Sequence, residues 1–218
     1  MRVTQTKQVA VTGDITVSVS APSKAYTGIA ITAIAIWDTA AGPFDGVFYW
    51  GDGTSDIINT TSKSISKTHI YASAGTYTIS VEIVDRYTDA RGTDTDTIQI
   101  AAKLSATLYP SPSSGPVPLA VAFACSASGG YLNYSWTLDP GDGSAPYSGT
   151  RTTGGEWTQN HTYNKVDTFS ATLTVTDALG ATTVTGKDIM AGITLAHEAI
   201  AIIGSAVTGL AMIIYGLS

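Results

Sequence analysis

FYWGDGT, residues 48–54, and LDPGDGS, residues 138–144, are near copies of one another, and each is followed downstream by a His-x-Tyr: His69 with Tyr71, then His161 with Tyr163. Gly51 and Gly53 flank Asp52, as Gly141 and Gly143 flank Asp142. Glycine takes positive φ without a Cβ clash, and a short carboxylate between two glycines accepts backbone N–H groups across a turn. Both stretches therefore read as structural turns that close a strand. A histidine repeated at the same place fits a structural hydrogen bond better than a unique active site, which needs a nucleophile and a base brought together. His69, Tyr71, His161 and Tyr163 are read as structural, and no catalytic residue and no cofactor are assigned.

Working outward, Phe48 pairs with Trp136, Asp52 with Asp142, His69 with His161, Tyr77 with Phe169 and Asp85 with Asp177, at separations of 88, 90, 92, 92 and 92 residues. A spacing that grows twice and then holds is that of a duplicated domain with two short loop insertions in its second copy. Each copy ends in an alternating strand. Tyr77, Ile79, Val81 and Ile83 share one face of GTYTISVEIVD, and Phe169, Ala171, Leu173 and Val175 share one face of DTFSATLTVTD. Earlier strands are expected at ITVSVSA, IAITAIAIW and GVFYW in the first copy, and at LSATLYP, LAVAFACSA and LNYSWTL in the second. YPSPSSGPVP, residues 109–118, reads as an interstrand loop, and the histidines are expected just before a strand.

The 218 residues accommodate two domains of about 100 residues each. Only 13% of residues are charged, and the abundance of Thr, Ser, Val, Ile and Ala suits half-buried strands. The net charge of −6 supplies no basic stripe for phosphates, so no nucleic-acid partner is expected. Cys125 is the sole cysteine and lies on the apolar face of an alternating strand, which predicts a small buried hydrophobe without a disulfide partner. The first 14 residues contain no apolar run, so no secretory signal is expected there.

The GDG turns at Asp52 and Asp142, the two His-x-Tyr pairs, Gly75-x-Tyr77 and the closing VTDALG at 175–180 together resemble the PKD (polycystic kidney disease) domain over about residues 15–190. That resemblance implies Ig-like sandwiches used outside the cell for spacing, adhesion or display. The expected fold is all-β: an N-terminal extension at 1–14, PKD-like β-sandwiches at 15–102 and 103–190, and a C-terminal hydrophobic, transmembrane α-helix within 191–218.

Two further features bear on ligands. Asp85, Asp89, Asp94 and Asp96 crowd DRYTDARGTDTD and form a weak calcium candidate, since oxygen ligands at that density suit the ion but lack EF-hand spacing. Asn59, Asn133 and Asn160 head Asn-x-Ser/Thr sequons.

The tail decides the functional expectation. From Ala199 to Ser218 there is no charge and no proline, and as a helix this stretch is about 30 Å long, the hydrocarbon thickness of a bilayer. Ala201, Ser205 and Gly209 recur on one face at four-residue steps, which lets helices approach closely. The expectation is a non-enzymatic display or structural protein, membrane-anchored, self-associating or joined to other assembly subunits through this helix, on a virion surface. The alternative is a cell-surface adhesin or stalk binding a glycan or protein receptor; a hydrolase accessory module fits less well because no catalytic domain accompanies it.

Overall fold

A computed structural model describes residues 14–38 and 42–192, and all regular structure among them is β. The chain divides into two compact units at Ser105/Ala106, with Gly129–Tyr131 grouped with the first. The segment expected to form the membrane helix, with Ala201, Ser205 and Gly209, lies outside the described residues. Among the described residues no helix is long and apolar enough to cross a membrane.

The first unit contains β1 (Val17–Ser20), β2 (Lys24–Tyr26), β3 (Ala30–Trp37), β4 (Phe44–Tyr49), β5 (Ser55–Thr60), β6 (Ser64–Ile70), β7 (Gly75–Asp85) and β8 (Arg91–Ala101). They form a three-stranded sheet, β1-β3-β6, and a five-stranded sheet, β2-β8-β7-β4-β5. β3 shows the cause in its sequence: Ile31, Ala33, Ala35 and Trp37 are buried, and the residues between them face outward. Against these, Phe44, Phe48, Ile79, Val81 and Ile83 of the other sheet complete one apolar core.

The second unit repeats this plan with β9 (Ser105–Ser111), β10 (Ser114–Pro116), β11 (Leu119–Ser128), β12 (Tyr134–Asp139), β13 (Tyr147–Arg151), β14 (Gly155–Tyr163), β15 (Asp167–Thr176) and β16 (Thr182–Gly192). Its sheets are β9-β11-β14 and β10-β16-β15-β12-β13, the same strand order as in the first unit. Cys125 is buried in β11, where burial pushes its thiol up to about 11.

Four sequence expectations are corrected by this fold. Phe48 lies opposite Val81, and its counterpart opposite Leu173 is Leu138, so Trp136 corresponds to Gly46 instead. A shift of two keeps a side chain on the same face, and matching aromatic to aromatic concealed it. The spacing therefore grows only once, between the turn and the histidine. Residues 109–118 are not simply a loop, because Ser114–Pro116 form β10, parallel to β16 as β2 is to β8. His69 and His161 lie within β6 and β14, whose alternation is too polar to announce a strand.

The fourth concerns the acidic loop. Among the described residues no three His, Cys, Asp or Glu side chains are placed to hold a metal ion. Asp94 and Asp96 project from β8 toward β1, where their Oδ2 atoms accept the Val19 and Ala21 N–H groups, each at 2.8 Å. Two carboxylates thus satisfy backbone donors on the edge of β1 that faces away from β3. Asp89 is a turn residue at φ 56, and Asp85 is fully buried.

Candidate functional site

The paired turns lie at the end of β4 in one unit and of β12 in the other, where the chain must reverse within a few residues. Gly51 and Gly53 adopt φ of 80 and 93, and Gly141 and Gly143 adopt 81 and 83, values that side-chain-bearing residues rarely take. Asp52 Oδ1 accepts the Thr54 N–H at 3.0 Å and its hydroxyl at 2.6 Å; Asp142 Oδ1 accepts the Ser144 N–H at 3.0 Å. A Thr or Ser directly after each GDG was the sequence signal for these partners.

The second carboxylate oxygen crosses between the sheets. His69 Nε2–H donates to Asp52 Oδ2 at 2.7 Å, and His161 Nε2–H donates to Asp142 Oδ2 at 2.9 Å. An ionised carboxylate has no proton to offer, so each imidazole must be the donor. Since each turn belongs to the five-stranded sheet and each histidine to the three-stranded one, this bond closes one end of the sandwich. The tyrosines make a second crossing: Tyr71 O–H donates to the Trp50 carbonyl at 2.8 Å, and Tyr163 O–H to the Pro140 carbonyl at 2.9 Å. Their rings stack on Tyr77 and Phe169, at 4.3 and 4.8 Å between centroids.

The two copies differ around the imidazole. His69 stacks on Trp50 at 4.7 Å, whereas His161 Nδ1 accepts the Tyr147 hydroxyl at 3.1 Å. Trp50 and Tyr147 were not picked out by sequence reading, because neither has an aromatic at the matching position of the other copy.

Electrostatics follows the geometry. Burial alone raises a carboxyl group's pKa, but the Thr54 and His69 hydrogen bonds outweigh it at Asp52, which lies below the ordinary range. At Asp142 burial is outweighed by Ser144 and His161, and the value falls to about 2. Burial and then the Asp52 charge push Tyr71 up to about 12; Tyr163 is raised for the same reasons, with Asp142 as the nearby charge. Both tyrosines stay protonated donors.

A fourth repeated residue emerges at the last hairpin of each unit. Asp85 Oδ1 accepts the Tyr87 and Thr88 N–H groups at 2.8 and 3.1 Å, while Oδ2 accepts that of Gly42 at 3.2 Å. Asp177 Oδ1 accepts the Leu179 and Ala181 N–H groups, both at 2.9 Å. Their 92-residue separation marked them as equivalent, and the structure assigns them to holding the β7–β8 and β15–β16 turns.

Residues 105–187 match the family model described as the PKD domain. The second sandwich is a PKD domain. No curated protein matches the chain. Among solved structures, the PKD domain of an M14-like peptidase from Thermoplasmatales archaeon SCGC AB-540-F20 is 14% identical, covering 41% of this chain and 97% of its own, with a TM-score of 0.36. Three N-terminal domains of the Highly Immunogenic Outer Capsid protein of bacteriophage RB49 are 13% identical over 83% of this chain and 70% of theirs, with a TM-score of 0.43. The ectodomain of mouse nectin-like molecule 4 is 11% identical over 83% and 65%, with a TM-score of 0.39.

In the PKD domain, the turn aspartate makes a signed prediction. Because the Asp142 carboxyl titrates at about 2 when folded and at about 3.9 when unfolded, its contribution is complete above about pH 4 and is lost as pH falls through about 2. Asp142→Asn should destabilise the domain by about 1 to 2 kcal/mol at pH 7. Denaturant titrations of both proteins should show that gap closing between about pH 4 and pH 2; a gap independent of pH would show that the charge plays no part.

Proposed function

We propose that this chain is a non-enzymatic structural or display protein of a multisubunit surface assembly, a virion surface or coat component held by its C-terminal segment in a membrane or in the assembly itself. The PKD match supports an extracellular structural or adhesion-type role for the sandwiches. The observation that carries the reading is the duplicated Asp–His–Tyr constellation. In both units the side chains best able to do acid–base chemistry join turn to sheet, so they maintain a rigid spacer.

A second reading, a cell-surface adhesin or stalk for a glycan or protein receptor, is favoured by one surface of the first unit. The outward face of β1, β3 and β6 carries Ser18, Thr32, Ile34, Ile36 and Ser66 without a charged side chain among them, and Ile34 and Ile36 are about half exposed.

Sedimentation tests the anchored reading. Without detergent, the chain lacking residues 196–218 should be a monodisperse monomer, because its strands bury their own apolar faces. The full chain should assemble or require lipid. Gly209→Arg, midway along the segment, should cost about 2.5 to 3.5 kcal/mol of insertion. A monodisperse full-length monomer in plain buffer would overturn both anchor and assembly helix.

A further inference from the structure

The duplication provides an internal comparison at the sandwich edge between β13 and β14. Equivalent registers place Gly46, Ile58, Thr60 and Ile65 of the first unit at the inward positions that Trp136, Gly149, Arg151 and Trp157 occupy in the second. The first unit closes this edge chiefly with Ile58, fully buried, and the partly buried Ile65. The second uses two indoles and an arginine.

Volume explains part of the exchange. A Cβ at Gly149 would stand 2.9 Å from the Trp136 ring, so the glycine makes room for the indole much as Gly46 lies opposite Ile58. Polarity is not explained by packing. The Arg151 guanidinium lies over Trp157, 4.8 Å from its ring centre, and Trp157 lies 5.5 Å from Trp136. Yet Arg151 Nε–H and Trp157 Nε1–H are both buried without an acceptor among the described residues. Buried donors without acceptors are rare and costly, and two on adjacent side chains point to a group the protein does not itself supply.

We propose that this edge binds a carboxylate-bearing saccharide of the uronic-acid class, whose carboxylate accepts from Arg151 Nε–H and Trp157 Nε1–H. A carboxylate offers two oxygens and matches the guanidinium charge. The indole surfaces suit the C–H faces of a sugar ring, and the connection 152–154, Thr-Thr-Gly, offers hydroxyls. Arg151 and Trp157 are both part-exposed at this edge, and the flexible arginine stem lets the guanidinium turn toward a ligand there. The site does not depend on how the chain is anchored.

Indole N–H resonances of the full-length protein in detergent micelles provide the test, since the chain has four tryptophans and Trp157→Phe identifies the relevant peak. Sodium glucuronate should shift the Trp157 resonance saturably, with glucose producing no shift. Arg151→Gln should weaken binding at least tenfold with the Trp37 and Trp50 indole resonances unchanged. Arg151→Lys, which keeps charge but lacks Nε–H, should weaken it too. An unmoved Trp157 resonance, an equal response to glucose, or undiminished binding by Arg151→Gln would overturn the site. A stronger response to acetate or to an acidic peptide would overturn the saccharide assignment.

Discussion

Gly141→Ala is expected to remove the folded state of the second sandwich at ambient temperature, while Gly143→Ala, two residues later, costs about 1 to 2 kcal/mol. Both positions have similar positive φ, so backbone strain is common to them. They differ in what a Cβ meets: at Gly141 it would run into the Ser170 carbonyl oxygen and stand 2.9 Å from its carbon, whereas at Gly143 nothing lies within 4 Å. Ser170 belongs to β15 and is paired with Asp188 of β16, so its backbone cannot yield without disrupting that ladder. The first unit repeats the contrast, with a Cβ at Gly51 lying 2.5 Å from the Thr78 oxygen and Gly53 open. Strain and clash together should exceed about 4 kcal/mol, beyond the range of ordinary substitutions. Calorimetry should show the affected unit's transition lost in Gly141→Ala and only lowered in Gly143→Ala; equal melting of the two variants would refute the close-approach argument.

Asp177→Ala should destabilise its unit by about 2 to 4 kcal/mol, because it leaves the Leu179 and Ala181 N–H groups without their acceptor in a part-buried turn. Asp85→Ala should lower the first unit's melting temperature at least as far, since that carboxylate serves three backbone N–H groups and is fully buried. Burial raises the Asp85 carboxyl, yet those N–H groups hold it below the ordinary range; its stabilisation is therefore complete above the unfolded carboxyl's value and lost as the solution becomes more acidic. Amide exchange localises the effect. Protection should fall first at residues 87, 88, 179 and 181, and a uniform loss across each unit would instead indicate a general core role.

The calcium candidate and the histidines show how far residue patterns reach. Crowded aspartates in one loop share proximity along the chain, but on β8 the carboxylates of Asp94 and Asp96 leave the loop for the N–H groups of β1, 75 residues away in sequence. Their spacing of two is strand spacing, which places them on one face, and what that face meets depends on the other sheet. The histidines were recognisable as repeated and therefore structural, but not as members of a strand: in β14, Trp157, Gln159 and His161 face inward on an edge strand where polar inward residues are tolerated, so alternation loses its contrast. Register was ambiguous for a related reason, since Trp136 and Leu138 project from the same face of β12.

The sequence by itself determined the local matters: an all-β chain, its duplication, the inward face of its long strands, and a turn at each Gly-Asp-Gly. Those follow from period-two burial and from glycine's freedom at positive φ, both properties of a few adjacent residues. Tertiary structure alone decided which donor each carboxylate meets, which of the two glycines in each turn lies against a neighbouring strand, and which sandwich edge holds indoles and an arginine. Hydrogen bonds and van der Waals contacts act over a few ångströms, so partners 17 to 75 residues apart are set only when the two sheets pack face to face.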